Sequence, residues 1–390
     1  MKILMLSPEP FFSPRGTPIS IYFRLKALSD LGHSVELLTY PSGADVSLKN
    51  LEILRVHNLL STGRIKIGPS PSKIPLDFLL YLKAAHRLRE FRYDLIYTHE
   101  EAAWLGVVLA KNHLLPHIYD MHSSLPDQIS QHKYGTLLGI RKLFLWMEHL
   151  SLKSADAVVV ICPELMRYVS EKGFGAKAVL VENFISFNGQ EDAEGRIKKI
   201  RKDLAPDGEK IILYSGNFRP YQGLFLLLEA AARVQAEDVV FVLVGGHGKD
   251  RNRTMKRAEQ LNISRKVQFL GEVSPERIPD YLAAADVLVS PRLAGMSIPL
   301  KIYTYLKSGK PIVATSIPAH TQILDEKTSV LVEPDRDHLA DGITFALFQP
   351  EALRHAQEAR EQTVREYTYP LFLEKMKEAL GLALSNKGRG

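Results

Sequence analysis

A chain of 390 residues exceeds what one ordinary hydrophobic core serves, so two domains are expected. With 45% hydrophobic and 24% charged residues it is neither a disordered nor a fibrous chain. A formal net charge of +6 and a sequence pI of 9.1 favour polyanionic partners or an anionic membrane surface. In chain order, the opening MKILMLSPEP reads as a first β-strand and not as a signal peptide. No window approaches the ~18–20 apolar residues of a spanning helix, so a cytoplasmic protein is expected. Strands are predicted at Lys2–Leu6, Val35–Thr39, Glu52–Val56, Asp94–Thr98, His117–Asp120, Ala157–Ile161 and Ala178–Glu182, with helices between several of them, such as Ser20–Leu31 and Leu143–Lys153. This βαβα order predicts a parallel sheet covered on both faces, wound both ways by right-handed crossovers.

The run from Arg64 to Arg92 mixes Lys66, Lys73, Lys83, Arg87 and Arg89 with FLLYL at 78–82. It reads either as a core-packed helix with a solvated outer face or as a basic amphipathic helix on lipid headgroups, the former preferred. Nucleic acid is not expected, for no basic stripe interleaves with exposed aromatics. Cys162, the single cysteine, rules out an internal disulfide and suggests a reducing compartment; its place in AVVVICPEL points to buried packing. Among the 13 histidines only His113 and His117 show HxxxH spacing, and Pro116 breaks any shared helix face, so no bound metal is expected.

From Asn183 to Lys210 the pattern lapses into a polar, charged stretch with glycines and a proline, the expected linker. A second alternation follows, with strands at Ile211–Tyr214, Val239–Val244, Val267–Leu270, Val287–Ser290, Ile312–Ala314 and Ser329–Val332. Helices at about 351–366 and 369–384 end the chain, and the tail SNKGRG is expected to fray.

The stretch DVLVSPRLAGMSIPLKIYTYLKSGKPIVAT at 286–315 carries the most chemistry. Two buried strands bracket a loop with Arg292, Gly295, Ser297, Ile298, Pro299 and Leu300, then a short helix bearing Lys301 and Thr304 from about Pro299 to Lys307. Gly309 and Pro311 stop that helix. A loop running from a strand end into a helix N-terminus aims backbone N–H groups and a positive dipole at its ligand. Two cations beside it point to a phosphate or diphosphate.

That segment, with LYSGNFRPYQGLFLLLEAAARV at 213–234, FVLVGGHG at 241–248 and KVQFLGEVSPERIPDYLAAADVLVSP at 266–291, resembles the retaining glycosyltransferases of GT-B fold, family 4 type. The resemblance implies an α/β fold of two doubly wound, Rossmann-like domains facing across a cleft. Residues 1–185 would form the acceptor side and 186–369 the donor side, with a helix at about 370–390 crossing back onto the first domain. It implies retaining, metal-independent transfer of a sugar from a nucleotide-diphosphate sugar to a hydroxyl of a glycan or lipid-linked acceptor, in cell-surface polysaccharide or glycolipid synthesis. No cofactor is implied; peripheral membrane contact is compatible with the basic surface.

Carried over residue by residue, the donor site comprises Gly16, Gly216, Asn217, Tyr221, Gln222, Val273, Arg292, Gly295, Ser297, Ile298, Pro299, Leu300, Lys301 and Thr304. The family usually has arginine and lysine where Asn217 and Gln222 stand, and Arg292 and Lys301 are the expected substitutes. It commonly has two glutamates where Met296 and Thr304 stand; Thr304 retains a ribose hydrogen bond, and Met296 does not do a carboxylate's work. His122, in IYDMHSSLPDQ, matches the family histidine near the reacting sugar and is the catalytic candidate, with Arg15 and Glu100 on the acceptor side. Alternatives are a GT-B relative that kept the cleft but lost turnover, acting as a binding or regulatory subunit, and a sugar-nucleotide epimerase. A nicotinamide dehydrogenase is set aside, because no GxGxxG follows the first strand.

Overall fold

A computed structural model describes residues 1–13, 16–57, 70, 73–126, 138–184 and 193–387. The chain divides into one unit of Met1–Asn183 with Pro370–Gly390 and a second of Phe184–Tyr369.

The first unit contains β1 (Lys2–Ser7), α1 (Gly16–Asp30), β2 (Ser34–Thr39), β3 (Leu51–Arg55), α2 (Ile74–Glu90), β4 (Leu95–His99), α3 (Ala103–His113), β5 (His117–Met121), α4 (Leu138–Ser154), β6 (Ala157–Val160), α5 (Pro163–Glu171) and β7 (Ala178–Leu180). The second contains α6 (Ala193–Leu204), β8 (Lys210–Ser215), α7 (Leu224–Ala231), β9 (Val239–Val244), α8 (Gly248–Gln260), β10 (Val267–Gly271), α9 (Ile278–Ala284), β11 (Val287–Ser290), α10 (Leu300–Ser308), β12 (Ile312–Thr315), α11 (Pro318–Thr321), β13 (Val330–Val332), α12 (Arg336–Phe348) and α13 (Pro350–Glu366). The last helix, α14 (Tyr369–Asn386), runs into the first unit.

The first sheet has the order β3-β2-β1-β4-β5-β6-β7 and the second β10-β9-β8-β11-β12-β13, every pair parallel. Each winds outward in both directions from its first strand, so the order in which strands are added reverses beside β1 and beside β8. In such sheets ligands bind outside the carboxyl ends of the strands at that switch point. β4, β5, β9 and β11 are buried along their whole length, and β9 (VVFVLV) reads as a continuous apolar run, as expected where helices cover both faces.

The predicted linker needs correction: residues 193–204 of it form α6, inside the second unit. Ile200 and Leu204 point inward, Arg196 pairs with Asp280 and Arg201 with Asp286. Only two or three apolar residues meet the core, so the segment reads as polar although it is an ordered helix. The basic run from Arg64 is not one helix among the described residues: α2 begins at Ile74, and Lys66 lies outside them. The strand expected at Ala178–Glu182 ends at Leu180, and the helix expected at Ser20–Leu31 begins already at Gly16.

α14 is held by apolar burial and by polar ties. Phe372, Met376, Ala379, Leu380 and Ala383 are buried. Phe372 lies under the Arg24 guanidinium at 4.9 Å, and Asn386 Nδ2 donates to Asp156 O at 3.1 Å.

Candidate functional site

In the second unit the loops after β8 and β11 flank the switch point and lock together. Leu293 N donates to Tyr221 O at 2.9 Å. Gly223, at φ 73°, caps the start of α7, and a Cβ there would stand 1.8 Å from Pro291 O. Only glycine permits both that backbone and that approach. Gly216 has φ 143°, and a Cβ on it would lie 3.5 Å from Lys301 Nζ, so Lys301 reaches back over the β8 loop.

Lys301 stands in the first turn of α10, whose N-cap is Pro299 and whose C-cap is Gly309 at φ 69°. Its Nζ lies 3.9 Å from the centre of the Tyr214 ring and donates to Gln222 Oε1 at 3.1 Å. Arg292 folds beneath Gly295, donating to Ala294 O at 2.6 Å and to Ser297 O at 3.5 Å, with its guanidinium 5.3 Å from the Tyr221 ring. Neither cation has a carboxylate within ion-pair distance among the described residues. Burial and then the neighbouring Arg292 push the Lys301 pKa well down; burial lowers that of Arg292, while Tyr221 and Tyr214 oppose it. Two half-buried cations that repel each other at a helix N-terminus make a site short of negative charge.

The rest of the predicted donor set is arranged around them. Gln222 and Ile298 are buried, whereas Gly216, Asn217 and Tyr221 are exposed. Asn217 O accepts from Tyr214 Oη at 2.7 Å. Ser297, Pro299 and Leu300 are half-buried. Thr304 Oγ1 donates to Lys301 O at 2.6 Å, so its hydroxyl proton is spent on the helix and it offers a ligand only an acceptor. Val273 is half-buried past the end of β10, beside Glu272, which meets His247 Nδ1 at 2.6 Å. Sequence reading missed His320. It is fully buried, with Nε2 2.9 Å from Ser290 Oγ and Nδ1 2.8 Å from Thr315 O. Thr315 Oγ1 in turn donates to Arg292 O, so His320 ties the ends of β11 and β12 to the arginine loop.

In the first unit a polar cluster gathers at the carboxyl ends of β4 and β5. The register sets His99 beside Asp120, and His122 follows one residue past β5. His99 Nδ1 lies 3.3 Å from His122 Nε2 and 3.5 Å from Asp120 Oδ2, and His122 Nε2 lies 3.3 Å from Asp120 Oδ1. Arg24 Nε donates to Asp120 Oδ2 at 3.1 Å, and Tyr97 Oη donates to the same oxygen at 2.8 Å. Burial alone would raise the Asp120 pKa, but Arg24 and then His122 outweigh it and hold the carboxyl well below the ordinary range. Burial lowers the His99 pKa to about 3.

Asp120 and Arg24 were not singled out from sequence, and HxxxH spacing did not reveal that His99, Asp120 and His122 stand close enough to share an ion. Arg24 already supplies the carboxylate with a positive charge. Glu100 takes a left-handed φ of 47°, and Ser123 Oγ donates to both its oxygens at 3.1 Å. Burial, then Glu101, drives its pKa well up. It opens a 3-10 turn before α3, so it lies at the strand end as expected. Gly16 begins α1 with open space where a Cβ would sit. Arg15 lies outside the described residues.

Comparison with known proteins agrees with both halves. The family described as glycosyl transferases group 1 matches residues 196–363, and the glycosyl transferase 4-like domain matches residues 25–183. The colanic acid biosynthesis glycosyl transferase WcaI of Escherichia coli K12 is 32% identical over 238 residues, 58% of each chain. That alignment spans little more than half of the relative's own length. The phosphatidyl-myo-inositol mannosyltransferase of Mycolicibacterium smegmatis is 24% identical over 356 residues, 89% of this chain and 84% of the other. The crystal structure of Anabaena HepE in complex with UDP-glucose superposes with a TM-score of 0.77 at 19% identity, covering 98% of this chain and 99% of that one. Two switch-point sheets, each matched by its own half of one enzyme family, identify the chain as a member of the group 1 glycosyltransferases with the GT-B fold.

Proposed function

We propose that the protein transfers a sugar from a nucleotide-diphosphate sugar to a hydroxyl of a glycan or lipid-linked acceptor, with retention at the anomeric carbon and without a metal ion. One observation carries the donor half: Lys301 and Arg292, mutually repelling and without carboxylate partners among the described residues, at the β8/β11 switch point. A diphosphate relieves that repulsion, and the two cations take the place of the positive charge that Asn217 and Gln222 do not provide. HepE, whose structure holds UDP-glucose, supports this donor class.

Front-face substitution asks little covalent chemistry of the protein. Lys301, Arg292 and the α10 N-terminus stabilise the leaving diphosphate, Thr304 accepts from a ribose hydroxyl, and His122 bonds the reacting sugar or acceptor hydroxyl. Positioning and electrostatics then supply most of the rate. Retention is supported by the family 4 resemblance, and metal independence by Arg24, which already neutralises the carboxylate of the His99–Asp120–His122 group.

WcaI, named for colanic acid biosynthesis, and the mannosyltransferase, named for phosphatidyl-myo-inositol, support a cell-envelope glycan or glycolipid as acceptor. Peripheral contact with the cytoplasmic face of a membrane fits α2, where Ile74, Phe78 and Leu82 stand exposed at spacings of four, with Arg89 exposed near its end. No helix among the described residues is long and apolar enough to cross a membrane.

Titration calorimetry with UDP and GDP tests the reading, followed by donor turnover with and without chelator. Binding of one nucleotide and chelator-resistant sugar release are expected; absence of binding by either nucleotide refutes the donor assignment. A second reading, a nucleotide-binding subunit without turnover, draws on Met296 and on Thr304, whose proton is spent on Lys301 O. Nucleotide binding without transfer to any acceptor or to water would favour it.

A further inference from the structure

Gln222 closes the 3-10 turn Pro220–Gln222 between β8 and α7 and is buried. Its backbone is fixed: Gln222 N donates to Arg219 O at 2.9 Å, and the next residue is the Gly223 that packs against Pro291 O. Its side chain meets α10, where Lys301 Nζ donates to Oε1 at 3.1 Å. An ammonium only donates, so the amide oxygen and not the amide nitrogen faces it. The ring of Tyr214 lies against the same ammonium, its centre 3.9 Å from Nζ. That ring is fully buried and anchored through its hydroxyl, which donates to Asn217 O at 2.7 Å, with Gln222 Oε1 a more distant acceptor at 3.3 Å. Lys301 thus rests on a carbonyl oxygen and an aromatic face. Both attract a cation and neither carries a charge. A carboxylate in place of the amide would form an enclosed ion pair and cancel the charge before a ligand arrived, and an ammonium there would repel Lys301.

We propose that Gln222 is a positioning residue whose side-chain carbonyl, with the Tyr214 ring, holds the Lys301 ammonium at the nucleotide site without neutralising it. The proposal rests on the reading of Lys301 as a contact of the diphosphate. It moves Gln222 from the contacts of the ligand to the support behind them, so that Gln222 acts on the nucleotide through Lys301. A lysine already held in place has less side-chain freedom to lose when the anion binds. Sequence gives no sign of the pairing, because 79 positions separate the two residues.

Lysine side-chain NMR on the nucleotide-free protein reads the hold directly, with Lys301 assigned by the signals lost in Lys301→Ala. Stacked on Tyr214, the Lys301 methylene next to Nζ should resonate upfield of the other lysines. Gln222→Met, similar in length but without the acceptor, should erase that shift; an unchanged shift overturns the proposal. In calorimetry with UDP and GDP, Gln222→Met should weaken binding about tenfold in the wild-type background and less than about twofold in Lys301→Ala. An equal loss in both backgrounds means that Gln222 meets the nucleotide itself, which also overturns the proposal. Gln222→Glu keeps the shape and the hydrogen bond and adds a charge. It should retain the upfield shift and yet bind nucleotide more weakly than Gln222→Met, an outcome that a merely structural role would not produce; wild-type affinity in Gln222→Glu refutes the neutral hold. Should neither nucleotide bind, or should Lys301→Ala bind as the wild type does, the donor assignment fails while the NMR shift still decides the hold, so the two readings fail separately.

Discussion

The surroundings of Lys301 disfavour its charge. Burial and Arg292 both depress its pKa in the free protein, and a bound diphosphate would raise it again. Protonated lysine is therefore favoured by binding. Proton uptake should accompany nucleotide binding at pH values above the depressed pKa, and affinity should fall there by at most about tenfold per pH unit. Calorimetry in buffers of different ionisation enthalpy reads that uptake directly. Lys301→Ala should weaken UDP or GDP binding by about 10- to 100-fold and abolish the uptake; uptake that persists in the variant would assign the proton elsewhere. Both cations were legible in sequence from the strand-loop-helix around them. Their isolation from carboxylates was not, because it depends on which acids other segments bring near. Nor was Thr304's bond to Lys301 O, which changes what that residue has left to offer a ribose.

Short polar side chains at element ends determine where these loops sit. His320, on α11, receives Ser290 at the end of β11 and meets Thr315 at the end of β12, and Thr315 Oγ1 holds the carbonyl of Arg292. His320→Ala leaves buried polar groups on both strand ends unpaired. It should cost roughly 1–3 kcal/mol in urea unfolding of the second unit, and weaken nucleotide binding although His320 touches no expected ligand. A variant of full stability and affinity would show that the loop holds itself. At the start of α2, Tyr40 Oη donates to Asp77 Oδ1 at 2.5 Å, and burial raises the Asp77 pKa to about 7. The folded state then keeps a proton that the unfolded chain has released between about pH 4 and pH 7. Stability from this group is thus present in acid, is lost as pH rises through about 7, and is level above. Wild type should lose up to roughly 4 kcal/mol more than Asp77→Asn between pH 4 and pH 7.5 in the unfolding of the first unit, and parallel pH profiles would contradict this. At this scale sequence succeeded wherever strands were continuous apolar runs between glycines and prolines. It failed at α6, where the apolar stripe of Ile200 and Leu204 is too narrow to announce a helix among ten other residues, most of them polar.

Each unit of the molecule has its own core: the α7, α12 and β8–β11 cluster in one, the α2, α3 and β1–β4 cluster in the other. α14 belongs to the first unit although it follows the second in sequence. Ending the chain at Tyr369 uncovers the pocket filled by Phe372, Met376 and Leu380. At about 1.5–3 kcal/mol for each large apolar side chain, the first unit should lose on the order of 5 kcal/mol. Differential scanning calorimetry should show one transition falling sharply while the other stays; two unmoved transitions would mean that α14 contributes little to either core. The chain alone determined the two parallel sheets, the strands within them and the loops that carry glycine and charge. Those signals are local: apolar runs, helical periodicity, and the glycines and prolines that end them. Tertiary structure alone decided that His99, Asp120, His122 and Arg24 share one enclosed cluster, that His320 braces the arginine loop, and that Lys301 lies over Tyr214. Contacts between residues tens of positions apart depend on strand order and register, and neither is written in any single segment.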